Sequence, residues 1–539
     1  MNISIKLTRE KTLLLLILFL ALLLRAAWLD WGLPNRFRTS TLNCDEATAL
    51  TCLQAMDPAS LDFNPVSEKH PNALVEGTFN LYTYAAVLKA ASYARLLVLV
   101  PDKDFYYDNP REMGKLYLAG KLLSVFYGLL TVAAVFVLAK KMFGPGAALT
   151  AALLTAMLPA HVVYSRYLLM NVPGLFWIVF SFIFLKNVMD GGRTRDYALA
   201  GLGFGLAAAT RFSGAPLAIM LLPAHFMGPS RRGGIKKLLI AASVAFLAYA
   251  TGAPYTFLDF PNFINGMRLL NYIASTGVSL SFSAKISFLA GSMTEAMGLP
   301  LLLAGLAGVV FAAARGKKNE ALLLIWIALM TVFFLRAGQN ALPGRILPAI
   351  PFIIILAAAA LARMRAAWPR LAAAALLLTT LHLSVFNAAY LNLLSRRDIR
   401  DSASQWIEAN IPAGSSFGLV REPSWSTPGL IDRKYRHPDH ARLPDHSYVS
   451  LTAGEWASFA GYDLLARIRP DYVVFSSVEE SQLPDRGLYR ALEEAGYEEA
   501  AVFTSEFSLF GLGLSEKIPG MFYIPDHIKV FRKKSLSAE

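Results

Sequence analysis

The feature that most constrains this chain is the recurrence of long apolar windows as far as residue 391. A helix needs about 20 apolar residues to cross the roughly 30 Å hydrocarbon core of a bilayer. The windows lie at 12–29, 116–139, 146–162, 172–186, 197–210, 213–228, 238–252, 297–314, 321–335, 346–362 and 371–391. They predict a polytopic α-helical membrane protein with about 11 transmembrane helices, although the glycine-rich pair 197–210 and 213–228 could be a hairpin that does not fully cross.

The basic residues of the connecting loops fall on alternate sides of these windows. If the N-terminus is cytoplasmic, Lys and Arg cluster in the loops on that side, at 6–11, 140–141, 186–195, 231–237, 315–318 and 363–370. This positive-inside pattern predicts a cytoplasmic N-terminus in a bacterial-type inner (plasma) membrane. It also explains most of the net charge of +13, so we expect no nucleic-acid partner.

The same windows divide the chain into four regions. We predict a first, retained transmembrane helix at 1–29, an outer loop at 30–115, a transmembrane bundle at 116–394 with a second outer loop at 251–288, and a soluble domain at 395–539. In the first loop, the helical spacing of apolar residues over 78–100 predicts an interfacial helix. Eleven crossings would put the last domain on the outer, periplasmic or extracellular side.

The tail alternates short β-branched or aromatic runs with helical patterns, which predicts a small α/β domain. Helices are expected at 398–409 and 487–495. Strands are expected at 416–420, 471–476, 499–504 and 527–531.

Two adjacent carboxylates, Asp45 and Glu46, stand in the first outer loop between Cys44 and Cys52. They could do acid–base chemistry, or they could lie in the first turn of a helix, where the helix dipole stabilises negative charge without catalysis. The two cysteines are either unpaired thiols or a disulfide, which at this spacing would require a bend in the chain.

Several segments together resemble the integral-membrane GT-C glycosyltransferases. The resemblance covers about residues 10–360. Within the GT-C enzymes, the chain is most similar to the protein mannosyltransferase-like group of glycosyltransferase family 39 and to the lipid A aminoarabinose transferases. It rests on Asp45 with Glu46, on 62–65 and 79–84, on Gly-Lys-Leu-Leu-Ser at 120–124, on Tyr-Ser-Arg at 164–166, on 201–213, and on Arg-Ile-Leu-Pro-Ala-Ile-Pro at 345–351.

The resemblance implies roles for particular residues. Asp45 would be the base that receives the acceptor proton, and Glu46 would position the acceptor or Asp45 itself. Arg345 would hold the phosphate of the donor. Further candidates for phosphate binding are Arg166, Arg211 and Lys69, and candidates for positioning donor or acceptor are His70 and Asn171.

Two positions depart from the family pattern: Asn171 stands where many relatives have Asp, and Arg211 where Lys is more usual. His70 with the two carboxylates could bind a divalent cation, but no spacing here is diagnostic of a metal site. We therefore predict no metal ligands and name a divalent cation only as a possible cofactor.

The function implied is inverting transfer of a hexosyl or pentosyl group from a polyprenyl-phosphate donor to a lipid, protein or glycan acceptor at the outer membrane face. The alternatives are a transporter or flippase of lipid-linked glycans and a non-catalytic membrane scaffold. A transporter usually has polar or broken helices near the midplane, whereas the polar residues here cluster at the outer helix ends.

Overall fold

The computed structural model describes most of the chain. The described residues are 8–68, 70–229, 234–275, 280–338, 342–420, 426–429, 447–450, 463–481, 483, 487–515, 517–520 and 524–534.

Helices account for nearly all regular structure before residue 395. They are α1 (Arg9–Ala26), α2 (Cys44–Gln54), α3 (Ala73–Glu76), α4 (Phe79–Tyr93), α5 (Lys103–Asp108), α6 (Pro110–Phe143), α7 (Pro145–Met157), α8 (Pro159–Tyr164), α9 (Asn171–Asp190), α10 (Thr194–Thr210), the 3₁₀ helix Phe212–Met220, α11 (Leu221–Met227), α12 (Ile235–Gly252), α13 (Tyr255–Leu258), α14 (Phe260–Ser275), α15 (Phe282–Met297), α16 (Leu299–Arg315), α17 (Lys318–Ala337), α18 (Pro343–Ile346), α19 (Ile350–Ala367) and α20 (Pro369–Leu394).

Each of the eleven apolar windows coincides with helical structure, but the predicted count of eleven membrane-spanning helices is not confirmed. Within the described ranges, six helical stretches are long and apolar enough to cross, namely α6, α9, α12, α17, α19 and 369–410. The pair α15 and α16, bent by 113°, would make a seventh. The helices in the other windows do not meet the length and polarity expected of a crossing helix. Helices α7, α10 and 212–227 have fewer than 18 residues, and α1 carries charged residues at both ends.

Glycines that seemed to interrupt α10 prove to be contact points. A Cβ on Gly201 would come within 2.3 Å of the carbonyl oxygen of Ala241, and one on Gly205 within 2.3 Å of that of Ala245. Small residues four apart allow two helix backbones to approach closely inside a membrane. The glycine pattern therefore packs α10 against α12.

The predicted strands and helices of the tail are present. Helix α21 (Ile399–Asn410) precedes β1 (Ser416–Leu419), β2 (Ser447–Ser450), α22 (Asp463–Ile468), β3 (Tyr472–Ser476), α23 (Ser477–Glu480), α24 (Gly487–Glu494), β4 (Tyr497–Thr504), the hairpin β5 (Ser508–Leu509) and β6 (Leu512–Gly513), and β7 (His527–Lys533). The mixed sheet has the order β2-β1-β3-β7-β4. It is parallel at β2-β1-β3 and antiparallel at β3-β7-β4. Its outer location and its boundary at residue 395 stay predictions.

The segment before α2 is attached to α21 by a buried ion pair. Arg38 donates to both carboxylate oxygens of Asp401, Nε to Oδ1 at 3.0 Å and Nη2 to Oδ2 at 3.1 Å. Asn35 donates to the same carboxylate at 2.9 Å. The two segments predicted as outer loops also touch, since the Asn64 amide donates to Asp259 at 2.7 Å.

Candidate active site

The two adjacent carboxylates open helix α2 and lie in different surroundings. Asn43 is the N-cap, and its side-chain oxygen accepts a hydrogen bond from the N–H of Asp45 at 3.1 Å. Asp45 and Glu46 both lie in the first turn, so the helical geometry of the non-catalytic alternative is present. Successive helical positions point about 100° apart, and here Asp45 is exposed whereas Glu46 is completely buried.

Glu46 belongs to a set of residues behind α2 that we call the back cluster: Glu46, Lys121 and Leu168. The Glu46 carboxylate accepts a hydrogen bond from the N–H of Leu168 at 2.8 Å. Burial raises the pKa of Glu46, and the charge of Lys121 and the Leu168 N–H offset part of that rise. Lys121 is itself buried on α6, where its ammonium donates to the carbonyl of Trp31 at 3.3 Å. The contacts of Glu46 thus fasten α2 to the bundle.

Asp45 belongs to a second set, the front cluster: Asp45, Glu76, Arg211 and Arg345. Burial raises the pKa of Glu76, while Arg211 and Arg345 act to lower it and Asp45 acts to raise it. Arg211 interacts electrostatically with the same three charges. Four ionisable groups from distant parts of the chain, two carboxylates and two guanidinium groups, therefore lie close enough to interact electrostatically.

Gly77 brings Glu76 up to Arg211. Its φ of +95° is disfavoured for residues with a side chain, and a Cβ there would come within 2.2 Å of the carbonyl oxygen of Thr210. Because Gly77 follows Glu76 and Thr210 precedes Arg211, this close backbone contact puts the ends of α3 and α10 together. Glycine is the residue that this approach tolerates.

Arg345 lies exposed on the short helix α18, which is held by neighbours on two sides. The side-chain amide of Asn171, the first residue of α9, donates to the carbonyl of Gly344 at 2.8 Å. Tyr164, at the end of α8, hydrogen-bonds with the backbone of Gly344. Asn171 thus contacts the backbone beside Arg345. Through this contact it can position Arg345, and its neutral side chain supplies no charge.

The segment between β6 and β7 also reaches this region. Gly520 packs so tightly on Tyr164 that a Cβ would come within 2.2 Å of the phenolic oxygen. Its N–H donates to Glu295 of α15 at 3.4 Å. Residues from the tail are therefore next neighbours of the front cluster.

Arg166, a candidate for phosphate binding, is buried and occupied by backbone carbonyls. It donates to Leu24 at 3.2 Å, Arg25 at 2.9 Å and Trp28 at 2.8 Å. Carbonyl groups at the end of a helix have no partner within it, and Arg166 supplies partners for Leu24 and Arg25 in the last turn of α1 and for Trp28 just after it. Its visible contacts are structural.

Of the two remaining candidates, His70 lies in the turn before α3, and Lys69 is outside the described residues. His70 shapes this turn through its backbone, whose N–H donates to the Ser67 carbonyl at 3.1 Å and whose carbonyl accepts from Ala73 at 3.3 Å. Among the residues that the structure describes, no three His, Cys, Asp or Glu side chains form a group that could hold a metal ion.

The sequence interpretation missed Glu76 and gave no role to Tyr164, although Tyr164 belongs to the Tyr-Ser-Arg segment of the resemblance. A single carboxylate in a loop carries no motif, and its partner Arg211 is far away in sequence. One signal was available, because Glu76 directly precedes Gly77 and the segment 79–84 that contributed to the family resemblance.

Comparison with known proteins agrees with the sequence resemblance. The family model described as dolichyl-phosphate-mannose-protein mannosyltransferase matches residues 113–256. The crystal structure of ArnT from Cupriavidus metallidurans bound to undecaprenyl phosphate superposes with a TM-score of 0.51 and 14% identity, covering 96% of this chain and 97% of that one. The chain has the GT-C fold.

The apo structure of the same ArnT matches this GT-C fold with a TM-score of 0.50 and 13% identity over 97% of the chain and 98% of that protein. An oligosaccharyltransferase from Archaeoglobus fulgidus matches at 0.49 and 15% identity over 95% of the chain and 76% of that protein. A sequence search of curated proteins finds no match. The predicted resemblance to GT-C glycosyltransferases is confirmed, and with it a multi-pass membrane architecture.

Proposed function

We propose that this protein is an inverting glycosyltransferase that moves a sugar from a polyprenyl-phosphate donor to an acceptor hydroxyl or amine. The observation that carries the proposal is the front cluster, in which Asp45 and Glu76 meet Arg211 and Arg345 at the ends of four separate helical segments. The fold shared with an ArnT bound to undecaprenyl phosphate supports this class of donor.

The chemistry needs a base on one side of the sugar and positive charge on the other. The acceptor oxygen or nitrogen attacks the anomeric carbon from the face opposite the phosphate, so the configuration inverts. Asp45 takes the acceptor proton as the new bond forms. The bond from the anomeric carbon to the phosphate oxygen breaks, its electron pair stays on that oxygen, and Arg345 and Arg211 stabilise the added negative charge.

The other residues have supporting roles in this proposal. Asn171 and Tyr164 hold the backbone beside Arg345, and Glu46 anchors the helix that presents Asp45. Arg166 is left out of the phosphate set because its guanidinium binds the carbonyls of α1. Glu76 balances the two arginines and keeps negative charge beside Asp45.

The reaction would take place at the outer face of a bacterial-type inner membrane. The support is the clustering of Lys and Arg in the opposite loops, which would leave 30–115 and the tail outside. The regions 1–29, 30–115, 116–394 and 395–539 would then be the first helix, the catalytic loop, the bundle and an outer domain.

The test is mass spectrometry of envelope glycans and glycolipids from cells that carry the wild-type gene, a deletion, or Asp45→Asn at an unchanged protein level. We expect one sugar-bearing product to disappear in both mutants. Glu68→Gln, which changes an exposed carboxylate of the same loop, should leave that product intact. Identical profiles in all strains would favour a transporter or scaffold, and loss only on deletion would remove Asp45 as the base.

A further inference from the structure

The tail contains a two-stranded hairpin, β5 and β6, which is separate from its five-stranded sheet. A turn at Phe510 and Gly511 joins the two strands, and we call residues 508–513 the tail hairpin. Phe510 is 94% exposed, and Leu512, just after the turn, is 73% exposed. Large apolar side chains leave water favourably when an apolar surface is available to them. The tail hairpin therefore presents an apolar tip.

The backbone of the turn makes phenylalanine an unusual residue at this tip. The φ angle is +51° at Phe510 and +78° at Gly511. Turns with a positive φ at both central residues favour asparagine or glycine there, because a bulky side chain clashes with the backbone in this conformation. Strained positions of this kind persist when another interaction compensates for the strain. The ring of Phe510 therefore needs a neighbour that the turn itself does not supply.

The base of the tail hairpin packs on α20, part of the stretch 369–410 that is long and apolar enough to cross a membrane. The side-chain amide of Asn392, near the end of α20, donates to the Ser508 carbonyl at 2.9 Å. Earlier in the same helix, the ring centroid of Phe386 lies 5.3 Å from that of Phe507. Phe507 also packs against the hydrophobic core of the bundle. The hairpin is thus attached to a helix that crosses the bilayer.

The length of α20 puts this contact at the boundary of the bilayer. Arg370, in the first turn of the helix, is charged and exposed, so the hydrocarbon core begins after it. At 1.5 Å per residue along the helix, Phe386 lies about 24 Å and Asn392 about 33 Å beyond Arg370. The hydrocarbon core is about 30 Å thick, so its far boundary falls between these two contacts. The large apolar residues exposed on α20 within this span, as expected of a lipid-facing surface, include Leu377, Leu378 and Leu381.

We propose that the tip of the tail hairpin inserts into the lipid bilayer beside α20, with Phe510 and Leu512 among the acyl chains just below the headgroups. A bilayer fits this tip better than a second protein, because the base of the hairpin already lies at the boundary of the hydrocarbon, where aromatic rings are favoured. The contact is independent of the proposed transfer reaction. Its consequence concerns the front cluster, since the chain continues from the hairpin to Gly520, which packs on Tyr164. Lipid at one end and Tyr164 at the other hold this segment in place.

The first test locates the tip of the full-length protein in phosphatidylcholine nanodiscs that hold one copy each. Phe510→Cys, Leu381→Cys or Arg490→Cys is made in a Cys44→Ala/Cys52→Ala background and labelled with nitrobenzoxadiazole. Leu381 is an exposed residue of α20, and Arg490 is an exposed charged residue of α24. We expect bromine-labelled acyl chains to reduce the emission of Phe510→Cys as they reduce that of Leu381→Cys, whereas iodide in the water reduces only that of Arg490→Cys. Quenching of Phe510→Cys by iodide alone would overturn the proposal, and so would protection from both quenchers, which would indicate that protein covers the tip.

The second test leaves the cysteines in place and separates lipid contact from the geometry of the turn. Phe510→Asn suits a positive φ better than phenylalanine does but removes the ring, whereas Phe510→Trp keeps a large ring that bilayer interfaces favour. In the same nanodiscs we expect amide hydrogen exchange over 508–515 and 517–520 to be about 3- to 10-fold faster in Phe510→Asn and unchanged in Phe510→Trp. Exchange in β4 and β7 should be unchanged in both variants. Slower or equal exchange over 508–515 in Phe510→Asn would show that only the geometry of the turn matters, and would refute the membrane contact.

Discussion

The front and back clusters share the first turn of α2 yet have opposite characters. In the back cluster, Glu46 is buried and its carboxylate accepts a hydrogen bond from the Leu168 N–H, so the side chain is held in one position. In the front cluster, Asp45 and Arg345 are exposed, whereas Glu76 and Arg211 lie deeper, and charges of both signs interact there. Adjacent carboxylates can therefore have different roles, since Glu46 anchors the helix and Asp45 is exposed, as the proposed base would have to be.

The largest effect should come from removing positive charge from the front cluster. Arg345→Gln leaves α18 its backbone contacts but takes away the charge that, in the proposed reaction, stabilises the leaving phosphate. Losing one such group lowers kcat about 10²- to 10³-fold. The rate of product formation in isolated membranes measures this loss. Arg336→Gln changes an exposed arginine at the end of α17 and is the matched control. If both substitutions had the same small effect, Arg345 would be an ordinary surface charge.

The back cluster should respond in stability instead of in rate. Glu46→Leu leaves the buried Leu168 N–H without its acceptor and removes the stronger of the two carboxylate interactions of Lys121, which should cost about 1–3 kcal/mol. Glu46→Gln retains a side-chain oxygen that can accept from the Leu168 N–H and removes only the charge. The Tm of purified protein should fall in the first variant much more than in the second, with kcat per folded molecule within about twofold in both. A kcat for Glu46→Gln as low as that of Asp45→Asn, at unchanged Tm, would give Glu46 a place in the chemistry.

A smaller effect should link Glu76 to the pH dependence of transfer. Burial raises the pKa of Glu76 above its usual 4.5, so as the pH falls its negative charge disappears at a higher pH than that of an ordinary glutamate. Glu76→Gln removes that charge and its titration, and with them the negative group that balances Arg211 and Arg345. Glu76→Gln should lower kcat up to about tenfold and move the acid limb of the pH–rate profile to lower pH. An acid limb that stays where it is in wild type would exclude electrostatic help from Glu76; Glu68→Gln is the control.

The sequence predicts the membrane helices well and the members of the front and back clusters only in part. Apolar windows and alternating basic loops predict membrane helices because both follow from the solvent properties of the bilayer. Asp45 and Arg345 could be named because they lie in recognisable segments. Glu76 could not, because its importance depends on the contact between Gly77 and Thr210, which lie far apart in sequence. Arg166 could be named as a candidate from the sequence, but its contacts could not be predicted, because a charge at a helix end gives no sign of which backbone carbonyls it will bind.

The smallest effect should come from the contact that ties the tail to the segment before α2. Asp401 accepts from Arg38 and Asn35, and Arg38 also donates to the carbonyls of Gly32 and Ser40. Burial alone would raise the pKa of Asp401, but the charge and hydrogen bonds of Arg38 outweigh burial and hold it below its usual 3.8. The stabilisation is therefore present at neutral pH and disappears only as the pH falls through that lowered value.

Asp401→Asn removes the charge but keeps the shape, so residues 32–43 should loosen and present α2 less precisely. We expect faster amide hydrogen exchange in that segment and a two- to fivefold lower kcat, roughly 0.4–1 kcal/mol, with KM unchanged. Glu408→Gln tests an exposed pair on the same helix, in which Glu408 accepts from Arg36 at 2.7 Å, and should change neither measurement. Faster exchange in Asp401→Asn with an unchanged kcat would show that the contact is structural only. An equal response in the two variants would mean that surface charge in general, and not the buried pair, links α21 to the front cluster.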